Sequence, residues 1–317
     1  MNGIIDLKAD VKVGTLQEGV VYLNEAASVR VGKNNNSYLT GNFFYDASYF
    51  EFKVWESRLF DTLVSNGAGL YYCQIEKSVF NGNSYFTVKN IVPYHGADFS
   101  KSDFLPRLDK TYLMNLKNSA YEEARKYGVS EACIQLTEEL LNEDELAGRF
   151  WTEGAAVKHH DNICGGLANH SLKMLKIGLR LMDIYPELKE HGDLFFMGIM
   201  LHDIGKVYEY TDLSMSRYWY ANHRVRGIEF LASRRAKIEK IYNETFYRQI
   251  QAIIQGHHGE FQDRPTTVAT LIVHFIDSIE SQVTGLLQRM KEEGENKLYV
   301  RDIGYLAGFE DSKSYQE

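Results

Sequence analysis

An apolar run, Phe195 to Leu201, ends directly on His202-Asp203-Ile204-Gly205-Lys206. So apolar a stretch reads as a buried helix. It carries an imidazole and a carboxylate into the interior, where a charge is costly unless it is paired or coordinates a metal. Whatever fold the chain adopts must therefore bring partners to His202 and Asp203. Neighbouring residues on a helix point about 100° apart, so this pair can clasp one ion or let the carboxylate bridge two. Lys206 stands four residues after His202, on the same face if the helix continues.

The partners are sought among the other His and Asp residues in helical surroundings. His170 shares a face with Met174, Ile177 and Leu181 in a long amphipathic segment that follows Gly165-Gly166. A His on such a stripe is, taken singly, as often a core residue as a ligand. His223 falls in a helix beginning near Trp219, and Gly256-His257-His258-Gly259 follows another that starts from Asn243. Asp277 lies in the last long helix, Thr266 to about Lys291. Imidazole and carboxylate together suit Mn, Fe, Zn or Ni, and the lack of Cys among them argues against a structural zinc cage. A first metal would take His170, His202, Asp203 and Asp277. A second would use Asp203 as a bridge with His223 and His257.

The chain changes period before it reaches this region. Residues 1–97 alternate in the manner of strands at Tyr49 to Trp55, Leu70 to Val79 and Ser84 to Ile91, with Asn81-Gly82-Asn83 as a hairpin turn. A further hairpin is expected around Lys33 to Asn36, and a short helix at Ser57 to Val64 is inserted late. That order suggests a small all-β barrel of the oligonucleotide/oligosaccharide-binding (OB) type. Its aromatics include Phe50, Phe52 and Trp55, which are candidates for stacking on bases, although aromatics also simply fill small barrels. Residues 98–150 read as a linker and helical connection: one helix from Leu108 to Gly128, another from a Ser130 cap to Leu141, and a third over Glu143 to Lys158. Residues 151–295 are the helical domain and 296–317 a C-terminal tail, whose last residues, Glu310 to Glu317, are polar and expected to fray.

Composition excludes some classes. The 317 residues, 44% hydrophobic and 25% charged, are enough for two ordinary globular domains. The three Cys show no CxxC spacing and fit a reducing compartment. No signal peptide or membrane span is visible, so a cytoplasmic protein is expected. A net charge of -8 lacks the basic footprint of a tight non-specific nucleic-acid binder, but it leaves room for stacking and a metal site to supply attraction.

The order H…HD…H…H…D, with Lys206 completing HDxGK, resembles the HD-domain metal-dependent phosphohydrolases, an all-helical superfamily, over residues 150–290. An OB-like module ahead of it, with GGLxxH, LHDIGK and GHHGE, is similar to the YhaM-type 3′-to-5′ exoribonucleases across nearly the whole chain. The resemblance implies His170, His202, Asp203 and Asp277 as ligands of the first metal, with His223 and His257 or His258 completing a second. In that family a His pair usually precedes the Gly-Gly. Aligning on Gly165-Gly166 puts His160-Asp161 opposite it, which leaves a substrate contact at His160 open. Lys206, Arg224 and Arg226 are candidate phosphate contacts, with Asp203 and Lys206 at the chemistry. The implied activity is hydrolysis of terminal phosphodiesters in single-stranded RNA, with single-stranded DNA as a further substrate and a metal-bound hydroxide as nucleophile. The divalent metal would be Mn first, then Fe, Mg, Zn or Ni. The alternatives are a phosphohydrolase acting on mononucleotides or cyclic nucleotides, and a non-catalytic binding protein with a degenerate site. No membrane partner is expected, and a homo-oligomer is compatible with this reading.

Overall fold

The structure, a computed structural model, describes residues 3–32, 35–156, 162–259, 263–293, 297–301 and 303–309. The chain divides into two compact units, Met1–Arg107 and Leu108–Glu317.

The first unit contains β1 (Leu16–Leu23), β2 (Ser28–Val31), β3 (Ser37–Tyr45), β4 (Ser48–Val54), α1 (Phe60–Asn66), β5 (Gly69–Phe80) and β6 (Asn83–Pro93). The strands pair in the order β1-β5-β6-β4-β3, and β3 returns to β1 through Tyr22 opposite Phe44 and Leu23 opposite Phe43. Five strands thus close a ring. All contacts in the ring are antiparallel except β4 with β6, where Phe52 lies opposite Phe86 and Lys53 opposite Thr87. A closed five-stranded Greek key with its helix between the third and fourth barrel strands has the OB arrangement expected from the sequence. β2 is an added edge on β3.

Alternation fixes the barrel's inside. In β4 the inward set includes Phe52 and Val54, both wholly buried, while Tyr49 and Glu51 face out. Phe52 stacks on Phe43 with ring centroids 4.3 Å apart. It reaches across Gly41, where an added Cβ would meet its ring at 2.9 Å. Phe52 is therefore core, and the expectation that it stacks on bases is corrected. Phe50 is half-buried beside Phe86, and Trp55 is half exposed against Tyr38 with centroids 4.9 Å apart.

The second unit is helical: α2 (Lys110–Lys126), α3 (Glu131–Leu141), α4 (Gly166–Ile184), α5 (Gly192–Leu201), α6 (Lys206–Glu209), α7 (His223–Ser233), α8 (Arg235–Ile238), α9 (Glu244–Gly256) and α10 (Val268–Glu293). Two small ribbons, β7 with β8 (Tyr210–Thr211, Ser214–Met215) and β9 with β10 (Lys297–Val300, Gly304–Ala307), complete it. α5 is apolar all round and is enclosed by α3, α4, α9 and α10, as a helix without a polar face must be. Asp193 at its start ties three elements together. Its carboxylate accepts from the Ser130 N–H and hydroxyl at 2.7 Å each and from the Tyr242 hydroxyl at 2.8 Å. Ser130 in turn caps α3 by accepting from the Cys133 N–H, as its position in the sequence predicts.

One expected helix does not form. The stretch from Glu143 holds two single 3₁₀ turns, Asp144–Leu146 and Arg149–Trp151. Between them Ala147 and Gly148 are left-handed, at φ 47° and 72°, which ends helical propagation. The rest of that expected helix, with His159 to Asp161, lies partly outside the described residues, as do the polar tail from position 310 and part of the Lys33–Asn36 turn.

Candidate metal centre

α5 stops at Leu201, and His202 to Gly205 form a tight turn in which the Ile204 N–H donates to Leu201 and the Lys206 N–H to Asp203. Lys206 thus does not continue the helix of His202. The turn instead brings its ammonium 2.6 Å from Asp203 Oδ2. Close packing fixes the turn's position. A Cβ on Gly205 would lie 1.7 Å from the carbonyl oxygen of His223, the first residue of α7, so only glycine fits between them.

Around Asp203 the fold gathers side chains from five elements. His202 Nε2 is 3.2 Å from Asp203 Oδ2, and His170 Nε2, from α4, is 3.9 Å from the same oxygen and 3.3 Å from Asp277 Oδ1 on α10. On the other carboxylate oxygen, His223 Nε2 lies at 3.5 Å and His257 Nε2 at 3.4 Å. His258 joins this second group, its Nε2 3.2 Å from that of His223. Three sets are each close enough to share one ion: His170, His202 and Asp203; His202, His257 and Asp277; and Asp203, His223, His257 and His258.

The outer ring nitrogens explain the orientation. His202 Nδ1 faces the Ile199 carbonyl at 2.7 Å and His257 Nδ1 the Ile254 carbonyl at 2.9 Å. His170 Nδ1 meets Glu280 at 2.5 Å and His223 Nδ1 meets Glu209 at 2.6 Å. A nitrogen facing a carbonyl oxygen must carry the proton, which leaves Nε2 of His202 and His257 as lone pairs aimed at a carboxylate. His202 Nε2, His257 Nε2 and Asp203 Oδ1 are all buried and find no hydrogen-bond donor among the described residues. Acceptors converging on acceptors in a dry interior need a cation, so the residues present fit a divalent metal.

Electrostatics point the same way. Burial alone would raise the Asp203 carboxyl, but the Lys206 ammonium beside it leads the groups that hold it well below the usual carboxylate range. Burial would also depress His170, yet Asp277 and Glu280 lift it to about 10. Burial lowers His257, against the pull of Asp203, and lowers His258 to about 3, with the adjacent His257 acting in the same direction. The two ends of the site therefore differ. His170 holds a proton between carboxylates, while the His257-His258 end presents neutral imidazoles.

Arg224 and Arg226, also singled out in the sequence, are engaged by other partners. Arg224 is held by Asp263 at 2.6 Å and by the Gln255 carbonyl at 3.0 Å. Arg226 pairs with Glu229 at 2.9 Å and lies over the Tyr208 ring. His160 is outside the described residues. Glu209 was not anticipated. Its signal is an acidic residue three positions after Lys206, inside the otherwise apolar and aromatic stretch Val207 to Tyr210. His274 contributes from behind, donating from Nδ1 to the His257 carbonyl at 2.8 Å.

This geometry agrees with a family model: residues 167–282 match that of the HD domain. Residues 167–282 are an HD domain. The His and Asp clusters around Asp203, which could hold a metal ion, lie within the matched residues. The whole chain is similar to the 3′-5′ exoribonuclease YhaM of Shouchella clausii, 25% identical over 86% of this chain and 85% of that protein. It is also similar to the 3′-5′ exoribonuclease YhaM of Bacillus subtilis, 22% identical over 85% of this chain and 87% of that protein. Among solved structures, the mitochondrial single-stranded DNA binding protein Rim1 of S. cerevisiae matches 26% of this chain and 99% of its own, at 16% identity and a TM-score of 0.24. The protein is a hydrolase. No helix among the described residues is long and apolar enough to cross a membrane.

Proposed function

We propose that this protein is a metal-dependent 3′-to-5′ exoribonuclease that removes nucleotides from single-stranded RNA and accepts single-stranded DNA. The observation that carries this reading is the convergence of buried, donorless acceptors on Asp203, inside an HD domain and in a chain similar along most of its length to exoribonucleases. In this reading His170, His202, Asp203 and Asp277 hold one ion. Asp203, His223 and His257, with His258 beside them, would hold a second. Manganese suits this mixed imidazole and carboxylate set, and two ions would neutralise phosphate and activate water for in-line attack.

The remaining steps belong to the chain. Glu280 and Glu209 fix the tautomers of His170 and His223, so that each presents Nε2 inward. Lys206 balances Asp203 and sits where a non-bridging phosphate oxygen would gain a charged donor. In this reading residues 151–295 carry the catalytic domain, with α2 and α3 of the 98–150 connection packed into the same unit, residues 1–97 are an accessory strand-binding barrel, and 296–317 are a tail that begins with the β9–β10 ribbon. A reducing cytoplasm fits the three free thiols.

The test is to incubate 5′-labelled RNA and DNA with metal-free protein and added Mn, Mg, Fe or Zn. A ladder shortening from the 3′ end is expected, strongest with Mn, and absent in Asp203→Asn. No shortening with any metal, together with turnover of mononucleotides or cyclic nucleotides, would replace this reading by a small-nucleotide phosphohydrolase.

A further inference from the structure

Between α6 and α7 the chain leaves the helical body, runs through the β7–β8 ribbon and returns through a 3₁₀ turn, Trp219–Ala221. Tyr218, Trp219 and Tyr220 on this return are 58%, 54% and 69% exposed. Three consecutive aromatics held in water call for an explanation, since exposed apolar clusters usually mark contact sites. The segment is well tied down. The Ser216 N–H donates to the Glu209 carbonyl at 2.8 Å, the Ser216 hydroxyl to the Tyr208 carbonyl at 2.8 Å, and the Ala221 N–H to the Tyr218 carbonyl at 2.9 Å. The rings meet edge-on, Tyr218 with Tyr220 at 82° and Trp219 with Tyr220 at 76°, so they do not cover each other's faces. Arg217 lies 5.4 Å from the Tyr218 ring.

The position of the segment relates it to the metal centre. Glu209, whose backbone holds Ser216, is the same residue whose carboxylate orients His223. Trp219 precedes His223 by four residues, at most about 14 Å of extended chain. We infer that Tyr218, Trp219 and Tyr220 form a stacking platform for the bases of a single strand at the HD site, with Arg217 facing its phosphates. Stacking suits an enzyme that must accept any sequence, because every base has a π face. A platform on the same chain segment as His223 keeps the strand in register as it shortens. This inference rests on the nuclease reading above.

The test compares a normal oligonucleotide with one of equal length carrying abasic positions near its 3′ end. Wild-type protein is expected to show a lower KM for the normal strand, by at least about fivefold per stacked base. The double variant Trp219→Ala, Tyr220→Ala should lose that preference and treat both strands alike, while Trp219→Phe restores it. A merely structural loop would shift both substrates together. An unchanged preference in the double variant overturns the platform. If wild-type protein shortens neither strand, the nuclease reading falls first and the platform with it.

A second inference comes from α10. Val268, Leu271, Phe275, Ile279, Val283 and Leu287 are 41–75% exposed along one ridge of this helix. No charged residue is exposed between Val268 and Gln288. The stripe amounts to on the order of 500 Å² per molecule, at the upper end for a free monomer patch and over half of one partner's share of a standard interface. Its spacing is self-complementary. Laid antiparallel on a copy of itself, Val268 meets Leu287, Leu271 meets Val283 and Phe275 meets Ile279, as a two-fold interface requires.

We infer that a second copy of this chain packs here. Light scattering should give twice the 36.5 kDa chain mass, Phe275→Glu should give the single mass, and Phe275→Glu with Ile279→Lys should restore the pair. A wild-type monomer at high micromolar concentration, or no change on Phe275→Glu, overturns it.

Discussion

Asp203 is the residue on which the site depends, because both of its oxygens are committed to different histidines. Asp203→Asn should reduce turnover about 10³-fold or more, matching several kcal/mol of lost charge stabilisation, with an unchanged circular dichroism spectrum. Glu209→Gln and Glu280→Gln act one shell further out. Each is expected to weaken metal binding or activity by roughly 10- to 100-fold, read by metal titration. His170 gives the pH dependence. Its folded pKa of about 10 stands above its ordinary value of 6.5. Its contribution to metal-free stability is therefore full below 6.5 and is lost as pH rises through about 10. The metal-free protein should melt at falling temperature over that window, and His170→Asn should flatten the trend. Because an ion must displace this proton, apparent metal affinity should rise by about tenfold per pH unit between roughly pH 7 and 9.

At the scale of elements, the turn after α5 and the barrel closure give opposite tests. Gly205→Ala pushes a methyl into the His223 carbonyl. A loss at or above the upper end of about 1–3 kcal/mol is expected in denaturant unfolding. In the barrel, Phe52→Ala should cost about 3–5 kcal/mol and Trp55→Ala within about 0.5 kcal/mol.

The contrast between Phe52 and Trp55 shows what the sequence conveyed. Alternation located β4, yet it did not say which of its aromatics face inward, because that depends on Gly41 and on how the barrel closes. His202-Asp203 and its distant partners were legible because buried charge demands company. The failure of the helix after Glu143 was not, since it turns on Ala147 taking a left-handed conformation that its side chain does not advertise. Lys206 reached Asp203 by a route that helical spacing did not foresee. Glu209 stayed hidden because a carboxylate that orients a ligand carries no spacing rule of its own.

For the whole molecule, the charge of -8 limits how binding can work. A protein that relied on six to ten phosphate contacts would lose about 10³- to 10⁵-fold in affinity between 50 and 200 mM salt. Here the KM for a single strand should change by less than about tenfold over that range, because in the proposed reading rings and metal carry the attraction. A steep salt dependence would instead reveal a basic path not evident from the composition. Every candidate metal donor found among the described residues comes from the second unit.

The donors extend from position 170 on α4 to position 277 on α10, the last long helix of the described chain. During synthesis, then, a fragment that lacks α10 is without Asp277, and so without the full set proposed for the first ion. In the proposed site the choice of that ion would therefore fall to the geometry and donor types of a finished interior, and to the ions available to it, rather than to a nascent peptide.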